Sequence, residues 1–178
     1  MRAFVALSLP EAFAARLFAL RREIEPLVPG LRFVRSGGAH LTLRFLGSAT
    51  MEQLATLGPL LQRAAQRCPR GEARVSGLGL FPESGPPRVL WLGLELPARF
   101  TTLQLHCEAA AVAVGFAPEE RPFRPHLTLG RWKDRALRPR LPEADLGVCS
   151  LDELVLFRSE PQASGSVYTR IGRYPLPS

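Results

Sequence analysis

Apolar and polar positions recur along this chain with two different periods, and the changes of period mark out its elements. Residues 3–9 (AFVALSL) form a short, mostly apolar run that suits a strand. From Phe13 the apolar positions step by four, three and four (Phe13, Leu17, Leu20, Ile24), the spacing of one helix face. Ser8 and Glu11 have capping-box spacing before that helix, and Pro29-Gly30 stops it. Residues 31–35 predict a short strand, and Gly37-Gly38 a turn into the strand-like HLTLRFL that starts at His40. A second helix starts near Thr50, where Thr50 and Gln53 again fit a capping box. Its stripe is Leu54, Leu57, Leu61, Ala64 and Cys68. The runs 72–81 and 88–96 read as a hairpin joined by PESGPP at 82–87. A third helix over 97–114 carries Phe100, Leu103, Cys107, Ala110 and Val114 on one face, with Gly115 as its stop. The Pro- and Arg-rich stretch 133–146 predicts irregular chain. Two last strands, 151–158 and 166–174, flank the loop SEPQASGS.

One word occurs twice in this pattern. HLTL opens HLTLRFLG at 40–47 and HLTLGRW at 126–132, and the chain has only three histidines. His40 and His126 lie 86 residues apart, close to half of 178, which is the spacing of a duplicated unit. Helices and strands are mixed, and several strands are sequence neighbours. The expected fold class is therefore α+β, with two similar lobes, each a mainly antiparallel sheet with flanking helices. The lobes would enclose a central groove carrying the two H-x-T-x strands. No Pro/Gly/Ser linker separates independent units, so 1–178 reads as one bilobal domain with pseudo-duplicated halves.

On a strand, residues i and i+2 share a face. Each word therefore buries two leucines (Leu41 and Leu43, Leu127 and Leu129). It presents one imidazole and one hydroxyl together (His40 with Thr42, His126 with Thr128). Facing each other across a cleft, the two words would supply a neutral and a charged imidazole at neutral pH, because the ordinary histidine pKa is near 6.5. The neutral ring can take a proton from a nucleophile, and the charged one can give a proton to a leaving group. The threonine hydroxyls can donate to non-bridging phosphoryl oxygens. Such a site would open a phosphodiester by in-line attack, best a strained cyclic one attacked by water. H-x-T lacks the second ligand that H-x-H would offer a zinc ion, and no carboxylate flanks either word, so a metal site is disfavoured. There is no nucleophile-elbow pattern and no P-loop, so no cofactor is expected. His106, next to Cys107 on the third helix, has no partnering word and reads as structural.

Composition adds less. The 46% of hydrophobic residues suffices for a core, and no apolar run reaches membrane-spanning length. The N-terminus reads as a strand and not as a signal peptide. Three scattered cysteines, Cys68, Cys107 and Cys149, fit neither a disulfide framework nor a metal knuckle, and a reducing cytoplasm is the expected compartment. The net charge is +7, and Lys133 is the only lysine beside 22 arginines. Arginine's planar fork suits phosphate, which points toward a nucleic acid or phosphorylated partner, although a codon bias or heat adaptation explains the excess equally well.

Five stretches together resemble a known family. They are RAFVALSLP at 2–10, HLTLRFLG at 40–47, RVLWLGLELP at 88–97, RPFRPHLTLGR at 121–131 and LVLFRSE at 154–160. The chain resembles the 2H phosphoesterases, and among them the RNA 2′,3′-cyclic phosphodiesterases, or 2′-5′ RNA ligase-like proteins. The resemblance implies a bilobal fold and metal-independent hydrolysis of an RNA 2′,3′-cyclic phosphate to a 2′-phosphate. It implies His40 and His126 as catalytic residues, with His126 the base that activates water and His40 the acid at O3′. Thr42, Thr128 and Arg131 would bind substrate. The implied partners are RNA ends bearing the cyclic phosphate, tRNA fragments among them, met by a monomer away from membranes. ATP-independent 2′-5′ ligation, hydrolysis of another cyclic nucleotide or 2′-5′ oligonucleotide, and non-catalytic binding of RNA ends stay open as alternatives.

Strict strand alternation raises one objection. Arg131 has the wrong parity to share a face with His126 and Thr128, unless Gly130 marks a bulge or strand end. Arg44 has the right parity with His40 and Thr42 and is the competing groove arginine. Phe4, Phe81, Trp91 and Trp132 are candidate stacking aromatics, and Arg121, Arg124, Arg158 and Arg173 a candidate basic rim.

Overall fold

A computed structural model describes residues 1–35, 39–163 and 165–178. The turn expected at Gly37-Gly38 lies outside the described residues. The strands are β1 (Arg2–Ser8), β2 (Leu31–Phe33), β3 (His40–Ser48), β4 (Gly71–Phe81), β5 (Val89–Glu95), β6 (His126–Trp132), β7 (Asp145–Leu151), β8 (Glu153–Gln162) and β9 (Gly165–Pro175). The helices are α1 (Ala14–Ile24), α2 (Met51–Gln66) and α3 (Ala98–Ala113).

The strands form two sheets, ordered β3-β1-β8-β9 and β2-β6-β5-β4-β7. All their pairings are antiparallel. Each sheet carries one HLTL strand. The orders β3-β1-β8 and β6-β5-β4 correspond strand for strand, with β4 and β8 crossing into the sheet of the other motif. The sheets are therefore not the two sequential halves of the chain. Helices α2 and α3 pack on each other and on β3, β8 and β9. Helix α1 is tied to β7 by Arg16, which donates to the carbonyls of Leu146 (3.0 Å) and Val148 (3.1 Å).

The α2 and α3 stripes bury as their spacing dictates, whereas in the first stripe Phe13, Leu20 and Ile24 are buried and Leu17 is only half-buried. Leu54, Leu57, Leu61, Ala64 and Cys68 are in the core, as are Phe100, Leu103, Cys107 and Ala110. At Thr50 the capping box forms: its hydroxyl accepts from the Gln53 N–H, and the Gln53 amide accepts from the Thr50 N–H, both at 3.1 Å. At Ser8 it does not. Strand β1 runs through Ser8, Pro10 starts the next segment as a single 3-10 turn (Glu11–Phe13), and the Ser8 hydroxyl points to Glu153 instead. The stretch 133–146 is irregular up to Ala144, but Asp145 begins strand β7, an edge strand with a turn-like Gly147 at φ 76°. Among the described residues no helix is long and apolar enough to cross a membrane.

Candidate active site

Both HLTL words lie on strands that meet at one groove of about 820 Å³, and His40, Thr42, His126, Thr128 and Arg131 all line it. The leucines do the anchoring. Leu41, Leu43, Leu127 and Leu129 are buried, while the four polar residues between them are half-buried on the groove face.

The parity objection to Arg131 is resolved by a bulge. Opposite β6, Trp91 pairs with Thr128 and Leu90 pairs with Gly130, so Leu129 is the extra residue. The same slip occurs at the same letter of the first word. Ala6 pairs with Thr42 and Val5 with Arg44, leaving Leu43 extra. Beyond each bulge the faces exchange. Leu43 and Arg44 are consecutively buried, as are Leu129 and Gly130, and the fifth residue after each histidine returns to the surface. That residue is Arg131 in one strand and Phe45 in the other, and both line the groove. Arg44 is correspondingly lost as a groove residue. It is 6% exposed, ion-paired with Glu108 of α3, and donates to the carbonyls of Phe45 and Ala117.

The two imidazoles have different surroundings. His40 lies on an aromatic floor: Phe4 at 4.8 Å between ring centroids, Phe157 at 5.5 Å, and Tyr168 edge-on at 5.2 Å. His126 packs against Phe81 edge-on at 5.1 Å and against Trp91 at 6.4 Å. Its Nδ1 lies 2.7 Å from the Arg124 carbonyl oxygen. A carbonyl can only accept, so Nδ1 carries a proton and Nε2 of the neutral ring keeps its lone pair. Burial pushes the His126 pKa below its ordinary value. The hydrogen bond to Arg124 opposes the shift, and the positive charge of Arg131 adds to it.

Among the described residues lining the groove, Arg2, Arg21, Arg35, Arg121, Arg131 and Arg170 stand against one acidic residue, Glu11. The expected rim is thus mostly displaced. Arg121 is at the groove, hydrogen-bonded to Glu119, whereas Arg124, Arg158 and Arg173 pair with Glu83, Glu160 and Glu153 and are not part of its wall. Trp132 is buried elsewhere, its indole donating to the Pro29 carbonyl at 3.0 Å. Phe81 and Trp91 support His126 from behind, the Trp91 ring lying so close over Gly79 that a Cβ there would sit 2.0 Å from Cζ2. Phe18, Phe33, Phe45 and Tyr168 are groove aromatics that sequence reading missed. The bulge parity, applied to the first word as to the second, would have found Phe45. Among the described residues no three His, Cys, Asp or Glu side chains converge as metal ligands do.

A family model described as LigT like Phosphoesterase matches residues 7–91 and 94–168. The RNA 2′,3′-cyclic phosphodiesterase of Methanothermobacter thermautotrophicus is 31% identical over 176 residues, 95% of each chain. TT0787 of Thermus thermophilus has a crystal structure that superposes with a TM-score of 0.87 at 33% identity, covering 99% of this chain and 98% of that one. E. coli LigT complexed with 3′-AMP superposes with a TM-score of 0.81 at 27% identity, again over 99% and 98%. The matched residues include both HLTL words, both bulges and Arg131, and with these the chain belongs to the LigT-like phosphoesterases, a family of enzymes.

Proposed function

We propose that the groove hydrolyses the 2′,3′-cyclic phosphate end of RNA to a 2′-phosphate, without a metal, by acid–base chemistry of the two histidines. The observation that carries this reading is the fixed tautomer of His126. A neutral ring with its Nε2 lone pair available shares one groove with a second imidazole, two threonine hydroxyls and a guanidinium. His126 Nε2 takes a proton from water as the water oxygen attacks phosphorus. The P–O3′ bond breaks, and His40, protonated, gives its proton to O3′. Thr42, Thr128 and Arg131 hold the non-bridging oxygens, where charge sits during the displacement. The product carries a 2′-phosphate and a free 3′-hydroxyl, and proton exchange with solvent resets both rings.

The name of the archaeal relative supports the substrate, and the arginine-lined groove supports a polyanionic one. The same reading takes 1–178 as one bilobal unit of two related halves, supported by the matching strand orders. Both motifs and the groove come from one chain, which supports action as a monomer. Three free, buried cysteines support a reducing, cytoplasmic setting.

The test is phosphorus NMR of an oligonucleotide ending in a 2′,3′-cyclic phosphate, incubated with the protein in chelator. The cyclic resonance is expected to convert to that of a 2′-monoester. A 3′-monoester, a requirement for added metal, or tight salt-sensitive binding with no product would each overturn the proposal.

A further inference from the structure

Helix α1 has two faces, and only one was legible as core. Leu20 and Ile24 bury inward. Ala14, Leu17, Phe18 and Arg21, spaced i, i+3, i+4 and i+7, form a second stripe, and all four line the groove that holds the histidines. Phe18 is 56% exposed there. The Arg21 guanidinium lies over the ring of Phe33, also a groove residue, 4.6 Å from its centroid. Its only ion pair among the described residues is with Glu25 at 3.8 Å, well exposed on both sides and therefore weak. The groove volume, about 820 Å³, lies near the top of the range of roughly 300–1,000 Å³ for a site that takes a single small ligand.

We propose that this arm of the groove binds the nucleotide immediately upstream of the one bearing the cyclic phosphate. Phe18 stacks on its base, and Arg21, steadied by Phe33, meets the phosphate that joins the two nucleotides. An exposed aromatic followed one helical turn later by a guanidinium is the pairing that single-stranded nucleic acid recognises, a π-face for a base and a fork for its phosphate. Among the described residues, six arginines against one acid give the groove the complementary charge, and the arm is continuous with the wall that carries the histidines. The inference rests on the proposed RNA end chemistry and sharpens it: the enzyme reads the end of a strand in preference to a cyclic mononucleotide.

The experiment compares kcat/KM on a 2′,3′-cyclic mononucleotide with that on a dinucleotide ending in the same cyclic nucleotide. The parent is expected to prefer the dinucleotide, and in Phe18→Ala and Arg21→Ala that preference is expected to fall about tenfold, with Phe18→Trp retaining it. Both positions are exposed enough that thermal melts should match the parent's. A preference that stays within twofold of the parent's in both alanine variants overturns the inference. If the parent turns over neither substrate, the functional reading has failed, and calorimetric titration with the 2′-phosphorylated mono- and dinucleotides decides this one. A dinucleotide advantage lost in Phe18→Ala supports it, and equal affinities overturn it.

Discussion

The two HLTL strands share a sequence, a bulge and a burial pattern, and they diverge at the two residues that follow. In β3, an edge strand, the residue after the bulge is Arg44, whose side chain fits beneath the sheet and pairs with Glu108. In β6, which has β2 on its other side, the same position is Gly130, and a Cβ there would lie 2.7 Å from the Arg32 carbonyl oxygen and 2.8 Å from Leu31 Cγ. One residue further, β3 offers the groove Phe45 and β6 offers Arg131. His126 therefore works beside a cation that opposes its protonation, while His40 sits among rings with a phenylalanine in the equivalent place. A duplicated motif supplies two similar imidazoles, and the residues just outside it give them different neighbours, a difference that suits the proposed division into one base and one acid.

Removing the imidazoles should have the largest effect. His40→Ala and His126→Ala are each expected to lower kcat by roughly 10²–10⁴ with unchanged thermal melts. A variant that keeps near-parental turnover removes that histidine from the mechanism. Arg131→Ala should cost about 10² in kcat/KM, as loss of a donor to developing phosphoryl charge does. It should also move the acid limb of the pH profile. In the proposed mechanism the base, His126, must be neutral, and its pKa is held below the ordinary 6.5 by burial and by Arg131, so the parental limb is expected below pH 6.5 and shifts to higher pH in the variant. A limb that stays in place, followed also by the His126 NMR titration, breaks the electrostatic half of the comparison.

The structural differences should register in stability. Arg44→Met leaves Glu108 without its cation and should cost about 3 kcal/mol in urea unfolding, with most of it restored by adding Glu108→Leu. Gly130→Ala should cost about 1–3 kcal/mol, because β2 must move to admit the methyl group. An alanine tolerated there without loss would show that β2 does not require the glycine.

Much of this was legible in advance. The α2 and α3 stripes, the Thr50 cap and the β4–β5 hairpin follow from local periodicity and form as expected. The His–Thr face followed from strand alternation alone. What failed did so for non-local reasons. Ser8 has capping spacing, but strand pairing with β3 extends β1 through it. Strand β7 has its alternation interrupted by the turn-like Gly147 at φ 76°, and its pairing with β4 defines it. Arg44 was placed by an alternation that the bulge at Leu43 interrupts. The groove face of α1 was missed because Leu17 fits the core stripe equally well by spacing, and an exposed Phe18 and Arg21 read as ordinary surface.

The bulges have a consequence for how such a motif travels. Arg131 lies five positions beyond His126, yet the two side chains share a face, which on a plain strand only an even offset allows. Distance along this chain and direction in space are decoupled at Leu129. Grafted onto a regular strand, HLTLGR would carry its imidazole and hydroxyl faithfully and turn its guanidinium to the opposite side. A plain strand with one residue fewer between histidine and arginine would reproduce the arrangement seen here. Two different spacings therefore spell one geometry, and a search that fixes the spacing will recognise only one of them.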